Sequence, residues 1–194
     1  MQYPIQLTFK LLTLGQRISA TDAKGHLLMF IKQKMLRLKE KVEVYSDEAQ
    51  SSLLFTVEAD RMIDFSANYR FTGADGSDWG SVRRKGMRSL WSAHYQVTRG
   101  SEMIAEIHEE NPLKKVLESV LSEIPILGFL AVYFLNPSYL VTGTDGSQWM
   151  RLTKEPAFWE GKFKLDKLTE MSEDDELRCL LSLLMLVLLE KKRG

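Results

Sequence analysis

The sequence predicts a mainly β fold, a closed antiparallel barrel of hairpins wrapped around one apolar helix near the C-terminus. Three observations carry that expectation. Several short segments alternate apolar and polar residues with period two. Turn signals recur about every 25 residues, the stretch from Arg99 to Gly143 excepted, near the spacing of a hairpin plus its connection. Finally, Leu177 to Leu189 is apolar except for Arg178 and Ser182, which leaves no polar stripe for solvent.

The strands follow from the alternation. Between Ile63 and Phe71 the apolar Ile63, Phe65, Ala67, Tyr69 and Phe71 interleave with Asp64, Ser66, Asn68 and Arg70, the pattern of a half-buried strand. Leu53, Phe55 and Val57 give a second strand, and Leu36, Leu38, Val42 and Val44 a third. Tyr95 with Val97, and Phe163 with Leu165, mark two more. The turns Asp22–Gly25, Gly73–Gly76, Arg99–Ser101 and Gly143–Gly146, with a polar segment at Ser46, supply the glycine or aspartate that positive φ angles demand.

Two helices break the pattern. Asn111 can cap, Pro112 suits the first helical position, and Leu113, Val116, Leu117, Val120, Leu121 and Ile124 keep helical spacing, so an amphipathic surface helix is expected over 111–124. The apolar run Ile126–Leu135 reads as strand or helix, with a strand favoured for Ala131–Leu135, leading into Tyr139–Thr142. The C-terminal helix is bounded by Ser172, followed by acids Glu173 to Glu176, and by Lys191, Lys192 and Arg193 beyond Glu190. Its apolar length is roughly 20 Å at 1.5 Å per residue, against about 30 Å of bilayer hydrocarbon, so a soluble core is favoured over membrane insertion.

Composition narrows function. At 194 residues and 44% hydrophobic content, one domain over 1–194 is expected, and 26 bases against 26 acids leave no net charge. No whole-molecule field favours nucleic acid, and the neutral chain lacks the basic stripe of such binders. Cys179 is the only cysteine, which excludes an intrachain disulfide and suits a reducing compartment. The N-terminus carries no secretory pattern, and the expected location is cytoplasmic or peripheral at a membrane. His26, His94 and His108 lack metal-ligand spacing, so no metal or cofactor is expected. No nucleophile elbow occurs either, because Gly76-Ser-Asp-Trp-Gly80 places aspartate where serine is needed. The acids Glu106, Glu109 and Glu110 with His108 precede a helix start, where acids are simply favourable, and the chain is not expected to be an enzyme.

The stretches Asp22–Lys34 (DAKGHLLMFIKQK) and Ser81–Trp91 (SVRRKGMRSLW), the segment Asn136-Pro-Ser-Tyr-Leu-Val141 and the terminal apolar helix together resemble the LURP-one-related family. That family is similar in fold to the tubby C-terminal domain and the phospholipid scramblases, so the resemblance implies about twelve strands around a hydrophobic helix. Tubby-type domains bind phosphoinositides through basic side chains, scramblases are tied to lipid movement, and plant relatives to defence.

One residue pattern suits such a role. Lys32 and Lys34 stand seven and nine residues after Gly25, and Arg83 and Lys85 stand at the same offsets from Gly76, with Arg84 and Arg88 adjoining. If the two hairpins share a register, both clusters emerge near one rim and could hold phosphate oxygens or an anionic leaflet. The ordinary alternative is that these charges mark strand exits and guard against aggregation. The sequence therefore points to a non-catalytic module for anionic phospholipid or phosphoinositide head groups. A scramblase-like membrane-associated protein and a protein-interaction scaffold are its alternatives.

Overall fold

A computed structural model describes residues 1–12, 15–33, 41–60, 67–85, 94–110, 137–157 and 161–190. Twelve antiparallel strands form a closed barrel in which each strand pairs with its neighbours in sequence and β1 closes on β12. They are β1 (Ile5–Leu12), β2 (Gly15–Thr21), β3 (Leu27–Gln33), β4 (Lys41–Tyr45), β5 (Leu53–Ala59) and β6 (Asn68–Gly73). The second half comprises β7 (Asp78–Arg84), β8 (His94–Arg99), β9 (Glu102–Glu109), β10 (Ser138–Gly143), β11 (Gln148–Glu155) and β12 (Gly161–Lys167). Helix α1 (Glu173–Glu190) follows. Closure leaves no sheet edge to template aggregation.

Alternation decides which side chains fill the barrel. Ile5, Leu7 and Phe9 of β1 point inward, as do Tyr69 and Phe71 of β6, Tyr95 and Val97 of β8, and Leu152 of β11, all nearly or fully buried. These residues form one core with Cys179–Leu188 of α1, each of which is at most 1% exposed. Burial on every side of ten consecutive helical residues places the helix inside the sheet, as its missing polar face requires. Among the described residues, no helix is long and apolar enough to cross a membrane.

The entry of α1 is firmly held. Ser172 caps it, its Oγ accepting from the Asp175 N–H at 3.2 Å, and four acids occupy the positive end of the helix dipole. Lys167 bridges Glu170 and Glu176, and Arg178 donates from Nε to the Trp79 carbonyl at 3.0 Å while its guanidinium sits 5.3 Å from the Trp79 ring centroid. The Cys179 thiol, desolvated within the core, is pushed up to about 12 and stays protonated.

The turns joining β2–β3, β4–β5, β6–β7, β8–β9 and β10–β11 are every second connection of the antiparallel meander and therefore lie at the same end of the barrel. Two of the turns repeat one design. In Gly73-Ala-Asp-Gly-Ser-Asp-Trp79 and Gly143-Thr-Asp-Gly-Ser-Gln-Trp149, the serine hydroxyl donates to the aspartate and accepts from the indole N–H, at 2.9 Å in the first copy and 2.8 Å in the second. Gly76 and Gly146 hold φ of +85° and +84°. Gly25 has φ +82°, and the β2–β3 and β6–β7 hairpins share a bulge four residues before that glycine, between Ala20 and Thr21 and between Phe71 and Thr72.

The expected strands around Leu53, Tyr95, Tyr139 and Phe163 coincide with β5, β8, β10 and β12. The acidic cluster Glu106–Glu109 belongs to β9, where alternation sends Glu106 and His108 outward and buries Glu109. The expected helix 111–124, the strand 131–135, the first parts of the expected strands at 36–40 and 63–66, and the terminal bases 191–193 lie outside the described residues.

Candidate functional site

The barrel has chemically different ends. At the hairpin end, the aspartates that shape the turns stay ionised. Asp47 is held below the usual carboxylate range chiefly by the Ser51 backbone N–H, and Asp75 and Asp145 by the Ser77 and Ser147 hydroxyls. The four acids opening α1 lie at this end as well. The opposite end carries the predicted cations. β3 and β7 both run away from their hairpin turns, so Lys32 and Arg83 stand close to their far ends, with Lys85 just beyond.

The two hairpins match in register about their tip glycines, yet β4, β5 and β6 stand between β3 and β7. Four inter-strand steps of about 4.8 Å separate the two groups by roughly 19 Å along the wall. Lys32 and Arg83 point outward and are exposed. Arg84 does not join them. Alternation turns it into the barrel, where it is 6% exposed and its guanidinium lies 5.9 Å from the Tyr95 ring centroid. Lys85 is exposed but neutralised, its Nζ 3.0 Å from Glu106 Oε1. Lys34 and Arg88 lie outside the described residues.

Glu106 is the hub of the β7–β9 surface. Its carboxylate also accepts from Gln96 Nε2 at 3.2 Å and meets His94 Nε2 at 3.1 Å, while the His94 and His108 rings lie edge to face. Burial pushes the Glu106 carboxyl up, but hydrogen bonds from Lys85, Gln96 and His94 together with the His94 charge outweigh it and hold the group at about 2. This arrangement consumes positive charge instead of offering it. Among the described residues, no cluster of histidine, cysteine or acids has metal-binding geometry.

The surface of β1–β3 is different. Lys10, Arg17 and Lys32 are direct cross-strand partners on three adjacent strands. Phe9, Ile18 and Ile31 beside them are buried inward, so the three cations share the outer face. The alternation Ile5, Leu7, Phe9 against Gln6, Thr8, Lys10 would have placed Lys10 outward in advance, and the scarcity of acid was equally legible: Asp22 is the only acid in the first 39 residues, against seven lysines and arginines.

A meander barrel of twelve strands closed around a buried C-terminal helix defines the class of this protein. The sequence model of the LURP-one-related family matches residues 6–123, more than half of the chain, and the chain belongs to that family. No curated protein and no solved structure gives a significant match.

Proposed function

We propose that this protein is a non-catalytic module that engages anionic phospholipid or phosphoinositide head groups through the cations of the barrel end opposite the hairpin turns. Lys32 and Arg83 mark that end, with Lys34 and Arg88 close by in sequence, Lys85 paired to Glu106 and Arg84 turned inward. The observation that supports this reading is a set of adjacent strands whose outer faces carry cations in a chain with no net charge. Turn aspartates and the helix-opening acids collect at one end, while the outer faces of β1, β2 and β3 carry cations and no acid. A neutral molecule turns such a local basic face to a negative surface, where each lysine or arginine contributes about 1 kcal/mol. Family membership is consistent with the reading and does not by itself assign an activity.

Co-sedimentation with vesicles tests it. The protein is expected to pellet with phosphatidylcholine vesicles containing phosphatidylserine or phosphoinositide, to remain in the supernatant with phosphatidylcholine alone, and to be released as salt rises. Equal recovery with charged and neutral vesicles at low salt overturns the lipid reading. A protein partner captured at the same face would then replace lipid as the ligand.

A further inference from the structure

We infer that the outer face of β7–β9 is a proton-gated contact for the surface of an anionic membrane, engaged when His94 and His108 take up protons. This rests on the anionic head-group reading and adds its regulation. Tyr95, Val97 and Ile107 are buried inside the barrel, so alternation turns His94 and Gln96 of β8, and Glu106 and His108 of β9, outward. His94 and His108 are direct cross-strand partners. The Lys85 N–H donates to the His94 carbonyl at 2.8 Å and extends the ladder, so Lys85, His94 and His108 stand in one row across three strands. Arg83 is exposed on the same face, opposite Gln96.

The charge of this row is set by its two imidazoles. Among the described residues, Glu106 is the carboxylate that meets it, accepting from Lys85 at 3.0 Å and Gln96 at 3.2 Å and lying 3.1 Å from His94 Nε2. Glu110, the next outward acid of β9, is taken by Arg151 of β11 at 3.0 Å. β10 presents Ser138, Leu140 and Thr142 on this side, none of which titrates. With neutral imidazoles, Arg83 and Lys85 against Glu106 leave a single positive charge, and protonation of both histidines raises it to three. Glu106, held at about 2, is already ionised throughout the range in which histidine exchanges its proton and supplies no further compensation.

Like charges directly opposite each other on a sheet are destabilising. Two imidazolium groups in register beside Lys85 are therefore relieved by a negative surface outside the chain. By linkage, a surface that favours the protonated row is itself bound more tightly as protons are taken up. Each cation added near an anionic leaflet is worth about fivefold in binding, and the two together about 30-fold.

Co-sedimentation is compared at about pH 7.5 and about pH 5.5, either side of the ordinary histidine range, at constant ionic strength. The vesicles are phosphatidylcholine with phosphatidylglycerol, whose phosphodiester keeps its charge between those values. Wild type is expected to bind about 30-fold more tightly at the lower pH, His94→Gln and His108→Gln each to retain about a fivefold response, and the double glutamine variant to lose it. His26, the remaining histidine, sits on Asp22 in the β2–β3 turn at the other end of the barrel, and His26→Gln is expected to respond as wild type does. His94→Arg combined with His108→Arg, charged at both pH values, is expected to bind at the higher pH as wild type does at the lower, a gain that loss of structure does not explain. A response that survives in the double glutamine variant, or that vanishes in His26→Gln, overturns the gate while leaving the head-group reading standing. Equal binding of wild type at the two pH values does the same. Absence of binding by wild type and by the double arginine variant at both pH values overturns both.

Discussion

Replacing Leu183, Leu184, Met185 and Leu186 by alanine, one at a time, asks whether α1 is enclosed on all sides. Successive helical residues are about 100° apart, so these four positions sample the full circumference. Each is at most 1% exposed. Truncating a buried Leu or Met to Ala costs about 2–5 kcal/mol, the transfer free energy of the lost methyl and methylene groups plus a cavity term that grows with how poorly the site collapses. A rigid sheet on every side limits collapse, so each variant is expected to lose about 3 kcal/mol. For a chain of this size that corresponds to roughly 6–12 °C in melting temperature. Urea unfolding at 25 °C with an unchanged dependence on denaturant is the appropriate measurement. A helix laid against the outside of the barrel would show at least one of the four faces costing under about 0.5 kcal/mol, as surface substitutions do. That result would refute the enclosure of α1 and the barrel architecture with it.

Two further predictions follow from local geometry. A Cβ added at Gly73 would lie 2.6 Å from both Asp75 Oδ1 and Ser77 Oγ, and one at Gly143 would lie 2.6 Å from atoms of the Trp149 ring. Gly73→Ala and Gly143→Ala are therefore expected to cost about 1–3 kcal/mol by displacing the indole, read as lowered stability with altered near-ultraviolet tryptophan dichroism; unchanged spectra and stability would contradict the turn geometry. Glu106 is held at about 2 against an ordinary value of 4.5, and a depressed carboxyl contributes stability that is fully present above its unfolded pKa and lost as pH falls through the folded one. Wild type should thus exceed Glu106→Gln by about 1 kcal/mol at pH 6, a figure discounted for partial exposure, and the gap should close between pH 4.5 and about 2. A gap that holds constant down to the acid limit would show that the carboxylate is not responsible.

Much of the fold was legible because burial and periodicity report the same constraint. Tyr69, Phe71, Tyr95, Val97, Phe163 and Leu165 alternate in sequence for the reason that they line the barrel. The apolar helix declared its enclosure by having no wet face. Placement around the barrel was less accessible, since it depends on how many strands intervene. The equal offsets of Lys32 and Arg83 from their turn glycines establish register within each hairpin but not the three strands between the two hairpins. Nor does a charge run disclose which members face inward: strict alternation along Val82, Arg83 and Arg84 buries the third, although three adjacent residues look equivalent in a list of bases.

The acids and the bases of this barrel have different physical standing. Asp47, Asp75 and Asp145 are required locally, because a tight turn leaves N–H groups that a short carboxylate satisfies at once. Glu173–Glu176 are favoured by the start of a helix. Removing a turn aspartate leaves those N–H groups without their acceptor, so the position of these acids at the hairpin end follows from topology. No comparable turn or cap explains the outward cations of β1–β3, at positions where strand formation is served as well by threonine or glutamine. A charge that neither a turn nor a helix start requires is available to recognition, and for that reason the outward bases of the strands carry more functional information than the acids of the turns.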